Sequence, residues 1–422
     1  VRVLHEVTDV PGYTVHLTLD RRLQQTAFEA LNGKQGTIVA LDVSNGAILA
    51  MASTPAFDPN NFARGIKTDE WRALMQDQLR PLSNRSTQGQ YPPGSIFKII
   101  MSIAGLEEGV INPEASISDP GYYVFGNRSF RDWKEGGHGA VNFHRAVVIS
   151  CDTYFYQLGP KIGIDRIAKW ARAFGLGEKS GVALDDERGG TIPDTAWKMK
   201  RYRQPWFPGE TVSVAIGQGY VTVTPLQLAN MMAAVANGGK LFRPRIVSKV
   251  ESVDGATVRE YGPELIRTIA LKPDTIKRLH AALADVVKAG TGGMARSPII
   301  DIAGKTGTAQ VVEMKGGYVK SEQLSYFSRD HAWFVSFAPV DNPQIAIAVL
   351  VEHGGHGGEA AEPMAKKVYE KFIEIQKQGS DKQQARLEGE SHADGPAHDF
   401  PFRLDVTFSI VGVCRHQRGD DL

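Results

Sequence analysis

Tyr91-Pro92-Pro93-Gly94-Ser95-Ile96-Phe97-Lys98 joins a stiff turn to an apolar segment. Ile96, Ile99, Ile100, Ile103 and Leu106 fall on one helical face. The spacing therefore predicts a helix to Leu106, with Ser95 at or near its N-terminus and Lys98 one turn on. Residues three apart share a helix face, so hydroxyl and amine can meet where free backbone N–H groups and the positive end of the helix dipole also lie. A serine becomes a nucleophile beside a base, and a lysine in a dry pocket can be that base. A Ser-x-x-Lys pattern is expected by chance about once or twice in a chain this long. Alone it describes any solvated helix face.

Two further segments change its weight. Ser150-Cys151-Asp152 and Lys305-Thr306-Gly307-Thr308 follow in order, Ser95 is the only serine with lysine three positions on, and Lys-Thr-Gly occurs once. Alone, Ser150-x-Asp152 would be a helical surface patch. The ordered set resembles the signature of penicillin-binding proteins and class A β-lactamases, and the chain resembles a penicillin-binding transpeptidase of the monofunctional class B type. Gly217-Gln218-Gly219-Tyr220, Thr224-Pro225-Leu226-Gln227, His331-Ala332-Trp333-Phe334 and Phe337-Ala338-Pro339 are similar to the same family, so the resemblance covers about residues 10 to 370.

The resemblance implies that Ser95 attacks the carbonyl between the last two D-alanines of a peptidoglycan stem peptide. An amine on a neighbouring strand then takes the acyl group, making a cross-link. Lys98 is implied as the base, neutral beside a second cation, for which Lys305 is the candidate. Ser150 relays a proton to the departing nitrogen. Lys305 with the hydroxyls of Thr306 and Thr308 suits a terminal carboxylate of substrate or β-lactam, Asp152 belongs to the substrate-binding set, and Gly307 permits close approach to the strand. Backbone N–H groups of Ser95 and Thr308 form the implied oxyanion hole. No cofactor is implied for catalysis.

Most family members carry Asn where this chain has Asp152. That Asp, with Arg131-Asp132-Trp133-Lys134 and Gly137-His138-Gly139, is similar to the penicillin-binding protein 2 subgroup. This subgroup cross-links the side wall during elongation, together with a SEDS-family glycosyltransferase of the membrane. The division-specific penicillin-binding protein 3 is the near alternative, but it usually keeps the Asn. A β-lactam sensor that is acylated without turnover is the alternative from another class. A β-lactamase or D,D-carboxypeptidase is a third, disfavoured because no Glu-x-x-x-Asn segment lies between Ser150 and Lys305.

Asp119, Asp132, His138 and Cys151 form a second constellation, two carboxylates, an imidazole and a thiol that suit tetrahedral zinc. Some penicillin-binding protein 2 homologues resemble this pattern and carry zinc there. The competing account is a small buried cysteine, with Asp132 paired to Arg128 or Arg131. Both stay open at this point; any zinc is expected to be structural, since the nucleophile is serine. His353-Gly354-Gly355-His356-Gly357-Gly358 reads as a flexible loop near the Lys305 strand, and His144 as a surface or core residue without an evident partner.

With 48 basic and 47 acidic residues among 422, net charge +1, nothing points to nucleic acid. Two cysteines, Cys151 and Cys414, make no disulfide framework. No transmembrane run or signal pattern is present and the chain opens on Val1. The chain reads as a catalytic fragment, and the resemblance implies a protein anchored in the bacterial inner membrane, with this part in the periplasm. Residues 1–19 read as the end of a non-catalytic junction, 20–375 as the transpeptidase domain, and 376–422 as a polar extension of unassigned role.

Periodicity predicts an extended Val1–Leu19, a helix from Asp20 to Leu31, and a hairpin of Thr37–Asp42 and Ala47–Met51 turning at Ser44-Asn45-Gly46. Asp119–Gly139 reads as irregular, Asn142–Leu158 as a helix carrying Ser150 in its middle or at a break, and Trp197–Gly209 as a basic, aromatic loop. Helices are expected from Ile164 to Phe174, Thr224 to Val235, Leu271 to Lys288 and Ala360 to Gln376. Strands are expected at Ile300–Val312, His331–Ala338 and Ile345–Val351. Alternation from Phe402 to Ile410 suggests one more strand. The expected fold class is α/β of the α+β type: a five-stranded, mainly antiparallel sheet flanked by helices, with a helical subdomain. The resemblance implies the same penicillin-binding/serine β-lactamase-like fold.

Overall fold

The computed structural model describes residues 11–63, 65–311 and 323–390. The Phe402–Ile410 alternation, Cys414 and Val312 lie outside the described residues. Among the described residues, no helix is long and apolar enough to cross a membrane.

The predicted hairpin forms from β1 (Gly36–Asp42) and β2 (Ile48–Thr54). Asp42 holds its turn by accepting the Ser44 N–H at 2.8 Å. Strands β3 (Ala303–Ala309), β4 (His331–Ala338) and β5 (Ile345–Val351) complete a five-stranded sheet of order β3-β4-β5-β1-β2, antiparallel throughout. The Lys305 strand is thus an edge strand, with backbone groups not used by the ladder.

The strands are almost continuously apolar because both faces are covered. Val39, Leu41, Val335 and Phe337 join one core; their neighbours Ile38, Ala40, Phe334 and Ile347 join another. Helices α1 (Arg21–Leu31) and α7 (Glu362–Glu390) contribute Leu23, Ala27, Val368 and Tyr369 to the second core. The first is closed by α2 (Lys98–Glu107) and α5 (Pro225–Ala236), and every residue of α5 is buried. A reciprocal cap between Thr224 and Gln227, with Pro225 at the first position, starts α5. Around α2 lie α3 (Phe143–Val148), α4 (Asp152–Ile162) and α6 (Pro273–Ala289), the helical part of the molecule.

Of the two arrangements expected for Asn142–Leu158, the structure has the break: two helices, α3 and α4, meet where Ser150 adopts a left-handed φ of 57°. Trp197–Gly209 is not a loop. Asp194 accepts the Trp197 N–H at 2.6 Å and caps a helix Thr195–Tyr202, and Pro208 starts another, Pro208–Val214. Asp119–Gly139 is partly ordered: Ile117–Asp119 pairs with Gly139–Val141, and Tyr122–Phe125 with Arg128–Arg131. Within the N-terminal extended stretch, Thr14–Leu17 pairs with Val247–Glu251, outside the central sheet. The closing helix begins at Glu362, after a short turn of helix Gly357–Ala360 that interrupts the expected glycine loop.

Candidate active site

Ser95 lies in a 3-10 turn, Gly94–Phe97, that runs directly into α2 at Lys98. Four contacts hold the turn from outside. Tyr91 exchanges backbone hydrogen bonds with Val223 at 3.0 and 2.9 Å, the Trp333 indole donates to the Pro92 carbonyl at 3.1 Å, and the Gly94 N–H donates to the Gly217 carbonyl at 3.1 Å. Gly94 has φ +53°, and a Cβ there would meet the Thr308 carbonyl oxygen at 2.4 Å. Only glycine satisfies both the conformation and the space. Ser95 is partly buried, and its hydroxyl makes no side-chain hydrogen bond among the described residues.

The Lys98 ammonium points to the second wall. It donates to the Asp152 carboxylate at 2.6 Å, the Ser150 carbonyl at 2.7 Å and the Ser150 hydroxyl at 3.2 Å. The break between α3 and α4 makes this possible. The left-handed Ser150 turns both of its oxygens toward Lys98, and Asp152 restarts the helix with its carboxylate on the same side. The other Asp152 oxygen accepts the Trp133 N–H at 3.2 Å. Burial pushes the Asp152 carboxyl up, opposed by the Lys98 ammonium. Asp152, expected to bind substrate, is thus engaged with Lys98 and the backbone inside the site.

Strand β3 forms the third wall. Lys305 is fully buried, and its ammonium donates to the Thr306 carbonyl at 3.2 Å. Burial pushes it well below the usual lysine range, and the Lys98 charge adds to the effect. Gly307 packs on the nucleophile turn; a Cβ would come within 2.9 Å of Ile96 and 3.0 Å of the Pro93 carbonyl. The Thr308 carbonyl is turned outward, accepting from the Gln218 amide at 3.4 Å. In an antiparallel strand a residue's N–H and C=O point to the same side, so the Thr308 N–H also faces the Gly94–Ser95 turn. The Ser95 N–H, at a helix start, has no intrahelical acceptor.

Sequence reasoning did not single out Glu352 and Arg85, which support this turn. Glu352 accepts from the Tyr91 hydroxyl at 2.5 Å and pairs with the buried Arg85 at 3.2 Å. Their sole signal was Tyr91, next to Pro92, and it named no partner. His144, for which no partner was evident, lies 2.9 Å from Asp285 on the surface.

Beside Ser150, the ligand atoms of Asp119, Asp132, His138 and Cys151 all lie within 4.8 Å of one another. His138 Nδ1 is 2.7 Å from Asp119 and 3.5 Å from Asp132, and the Cys151 thiol is 3.4 Å from Asp119. Donors around a tetrahedral zinc stand roughly 3–4 Å apart. Backbone N–H groups of Gly121, Thr153 and Lys134 orient the two carboxylates at 2.8, 2.9 and 3.1 Å. Asp132 therefore turns inward, and the expected alternative pairing with Arg128 or Arg131 is not made. His138 Nε2 is buried without a partner. The two buried carboxylates face His138 and the Cys151 thiol, while Lys98 is held by Asp152. Burial, reinforced by the Asp132 charge, pushes the Cys151 thiol up.

A serine on a helix start, a lysine one turn on that reaches a second serine, and an edge strand with Lys-Thr-Gly have the arrangement of a serine acyl-transfer site. Residues 36–370 match the penicillin binding protein transpeptidase domain, and the chain belongs to that family. It is 44% identical over 365 residues to the peptidoglycan D,D-transpeptidase MrdA of Acinetobacter baumannii, covering 86% of this chain and 54% of that relative. Among solved structures it resembles Pseudomonas aeruginosa PBP2 in complex with WCK 5153, with TM-score 0.77 and 40% identity over 86% of this chain and 76% of the other. It also resembles Helicobacter pylori PBP2 in complex with MreC, with TM-score 0.75 and 35% identity over 86% and 64%. The chain spans little more than half the length of the curated relatives it matches.

Proposed function

We propose that this chain is the catalytic portion of an elongation-type peptidoglycan D,D-transpeptidase that β-lactams acylate at Ser95. The observation that carries this is the convergence of three distant motifs on one cleft, with Lys98 reaching both Ser150 and Asp152. Lys98, after passing a proton to the Asp152 carboxylate 2.6 Å away, takes the Ser95 proton as the oxygen attacks the D-alanyl-D-alanine carbonyl. The Ser95 and Thr308 N–H groups hold the oxyanion. Ser150, in contact with Lys98, returns the proton to the leaving D-alanine nitrogen. An amine of a second stem peptide then attacks the acyl-enzyme and restores the serine. Lys305, Thr306 and Thr308 receive the terminal carboxylate, and Gly307 lets it approach. We assign Asp152 to hold and balance Lys98. The domain comprises residues 20–375, with residues 1–19 as junction and 376–422 as a polar extension.

Intact mass after incubation with benzylpenicillin tests this. A stoichiometric, long-lived adduct is expected on the wild type and none on Ser95→Ala. Transfer of the acyl group from a stem peptide to an added D-amino acid separates a transpeptidase from a sensor, which is acylated without turnover. Absence of any adduct on folded wild type would sink the proposal.

The PBP2–MreC complex supports a place in the elongation machinery. A SEDS-family glycosyltransferase partner, an inner-membrane anchor and a periplasmic catalytic domain complete the proposal. The Asp119, Asp132, His138 and Cys151 cluster fits structural zinc, which would clip the loop carrying Trp133 to the start of α4. Native mass spectrometry is expected to show one zinc per chain, lost in Cys151→Ala. A zinc-free wild type with an unchanged melting temperature in chelator would exclude it.

A further inference from the structure

One polar contact on the Lys305 wall brings in a residue outside the three motifs. Thr291 follows α6 and Gly290. Its hydroxyl lies 2.8 Å from that of Thr306. Its backbone N–H donates to the Val148 carbonyl at 3.4 Å, at the end of α3 that leads into Ser150. Gly290 sits so close to the same carbonyl that a Cβ would come within 2.3 Å of its oxygen. Thr291 therefore stands where the Ser150 segment meets the Lys305 strand, and it touches both.

The turn that carries it is pinned from behind. Buried Glu362 accepts the N–H groups of Met294 at 2.7 Å and Ala295 at 3.1 Å. In front, the short helix after Gly357 packs on the same strand; a Cβ at Gly357 would meet the Gly307 carbonyl at 2.4 Å. The Thr291 hydroxyl is thus presented at a set place rather than on a free loop.

In a pair of hydroxyls, one donates to the other. If Thr306 donates to Thr291, its only proton is used. If Thr291 donates to Thr306, the Thr306 proton is free for another acceptor. A carboxylate only accepts, so its arrival selects the second arrangement, and a charged acceptor at the end of such a chain strengthens each bond in it. We propose that Thr291 is a positioning residue of the carboxylate subsite: it donates to the Thr306 hydroxyl and turns the Thr306 proton toward the terminal carboxylate of the acyl donor. This rests on the transpeptidase proposal above, in which Thr306 receives that carboxylate.

The test is a double-mutant cycle on the whole chain, reading benzylpenicillin acylation by intact mass against time and concentration. Thr291→Val, Thr306→Val and the double variant are compared with wild type, and each rate is normalised to its stoichiometric adduct. Thr291→Val is expected to weaken half-saturation about tenfold, with the limiting acylation rate little changed. Thr291→Ser restores it, because it keeps the hydroxyl. The double variant loses no more than Thr306→Val alone, since Thr291 acts through Thr306. Additive losses, a fall confined to the limiting rate, or no effect of Thr291→Val would each overturn the proposal. If Thr291→Val does not fold, Thr291→Ser and Thr291→Ala decide by the same criterion. A wild type that forms no adduct refutes the transpeptidase proposal instead.

Discussion

Lys98 and Lys305 share one cleft and are equally removed from solvent, at 1% and 0% exposure, yet they are held differently. Lys98 has a carboxylate at 2.6 Å and both oxygens of Ser150. Lys305 has one backbone carbonyl at 3.2 Å. Burial disfavours the charged form of a lysine unless an opposite charge compensates. Lys305, lacking a carboxylate at hydrogen-bond distance, is pushed well below the usual lysine range. The comparison teaches that the partner, rather than depth, sets what a buried lysine does.

Removing each ammonium is the strongest way to break the comparison. Lys98→Met strands the buried Asp152 carboxylate, and urea denaturation is expected to show a loss of about 3–5 kcal/mol. Acylation by benzylpenicillin should fall about 10²–10⁴-fold with loss of the base. Lys305→Met removes an amine that, among the described residues, has no carboxylate at hydrogen-bond distance. Stability is expected to stay within about 1 kcal/mol of wild type or to rise, while acylation falls about 10²-fold. Equal destabilisation by the two changes would erase the distinction.

A smaller effect comes from Glu362, which burial pushes up to about 7 from 4.5, opposed by the Met294 and Ala295 N–H groups and by Lys305. Between these values the native chain keeps a proton that the unfolded chain has released. This group therefore makes stability fall as pH rises from 4.5 to 7. Lys305 has the opposite sign. The unfolded chain holds its proton up to 10.5 while the native one has released it, so stability rises with pH across that interval. Glu362→Gln should flatten the lower window by about 3 kcal/mol, measured by urea denaturation across pH. An unchanged slope would mean that Glu362 is ionised in the native protein throughout.

The smallest effect sharpens the contrast from outside. His144 and Asp285 form a pair at 2.9 Å with both side chains 44% exposed. His144→Ala should change stability by less than about 1 kcal/mol, because solvent screens the pair. A loss comparable to that of Lys98→Met would contradict the role given to burial.

Much of the site was legible before any coordinates. The apolar spacing from Ile96 to Leu106 placed Ser95 and Lys98 one turn apart, and the near-continuous apolar runs of Thr37–Asp42 and Ala47–Met51 implied a sheet covered on both faces. The capped helix Thr195–Tyr202 was hidden because its exposed basic and aromatic residues carry no clear apolar stripe, and its Asp194 cap lies just before the segment read as a loop. The pairings of Asp119–Gly139 were hidden for a related reason. Strands of three or four residues are too short to show a period.

The sequence by itself determined the order of the main elements and singled out Ser95, Ser150 and Lys305 as residues of the proposed site. Local periodicity and residue chemistry act over a few neighbours, and a single chain displays them directly. Only the tertiary structure decided which lysine receives a carboxylate, that Ser150 takes a left-handed φ, that Glu352 and Arg85 brace Tyr91, and that Thr291 meets Thr306. These contacts join residues far apart in the chain. They exist because the edge strand, the broken helix and the Gly94 turn pack within hydrogen-bond reach, and their spacing in sequence carries no trace of it.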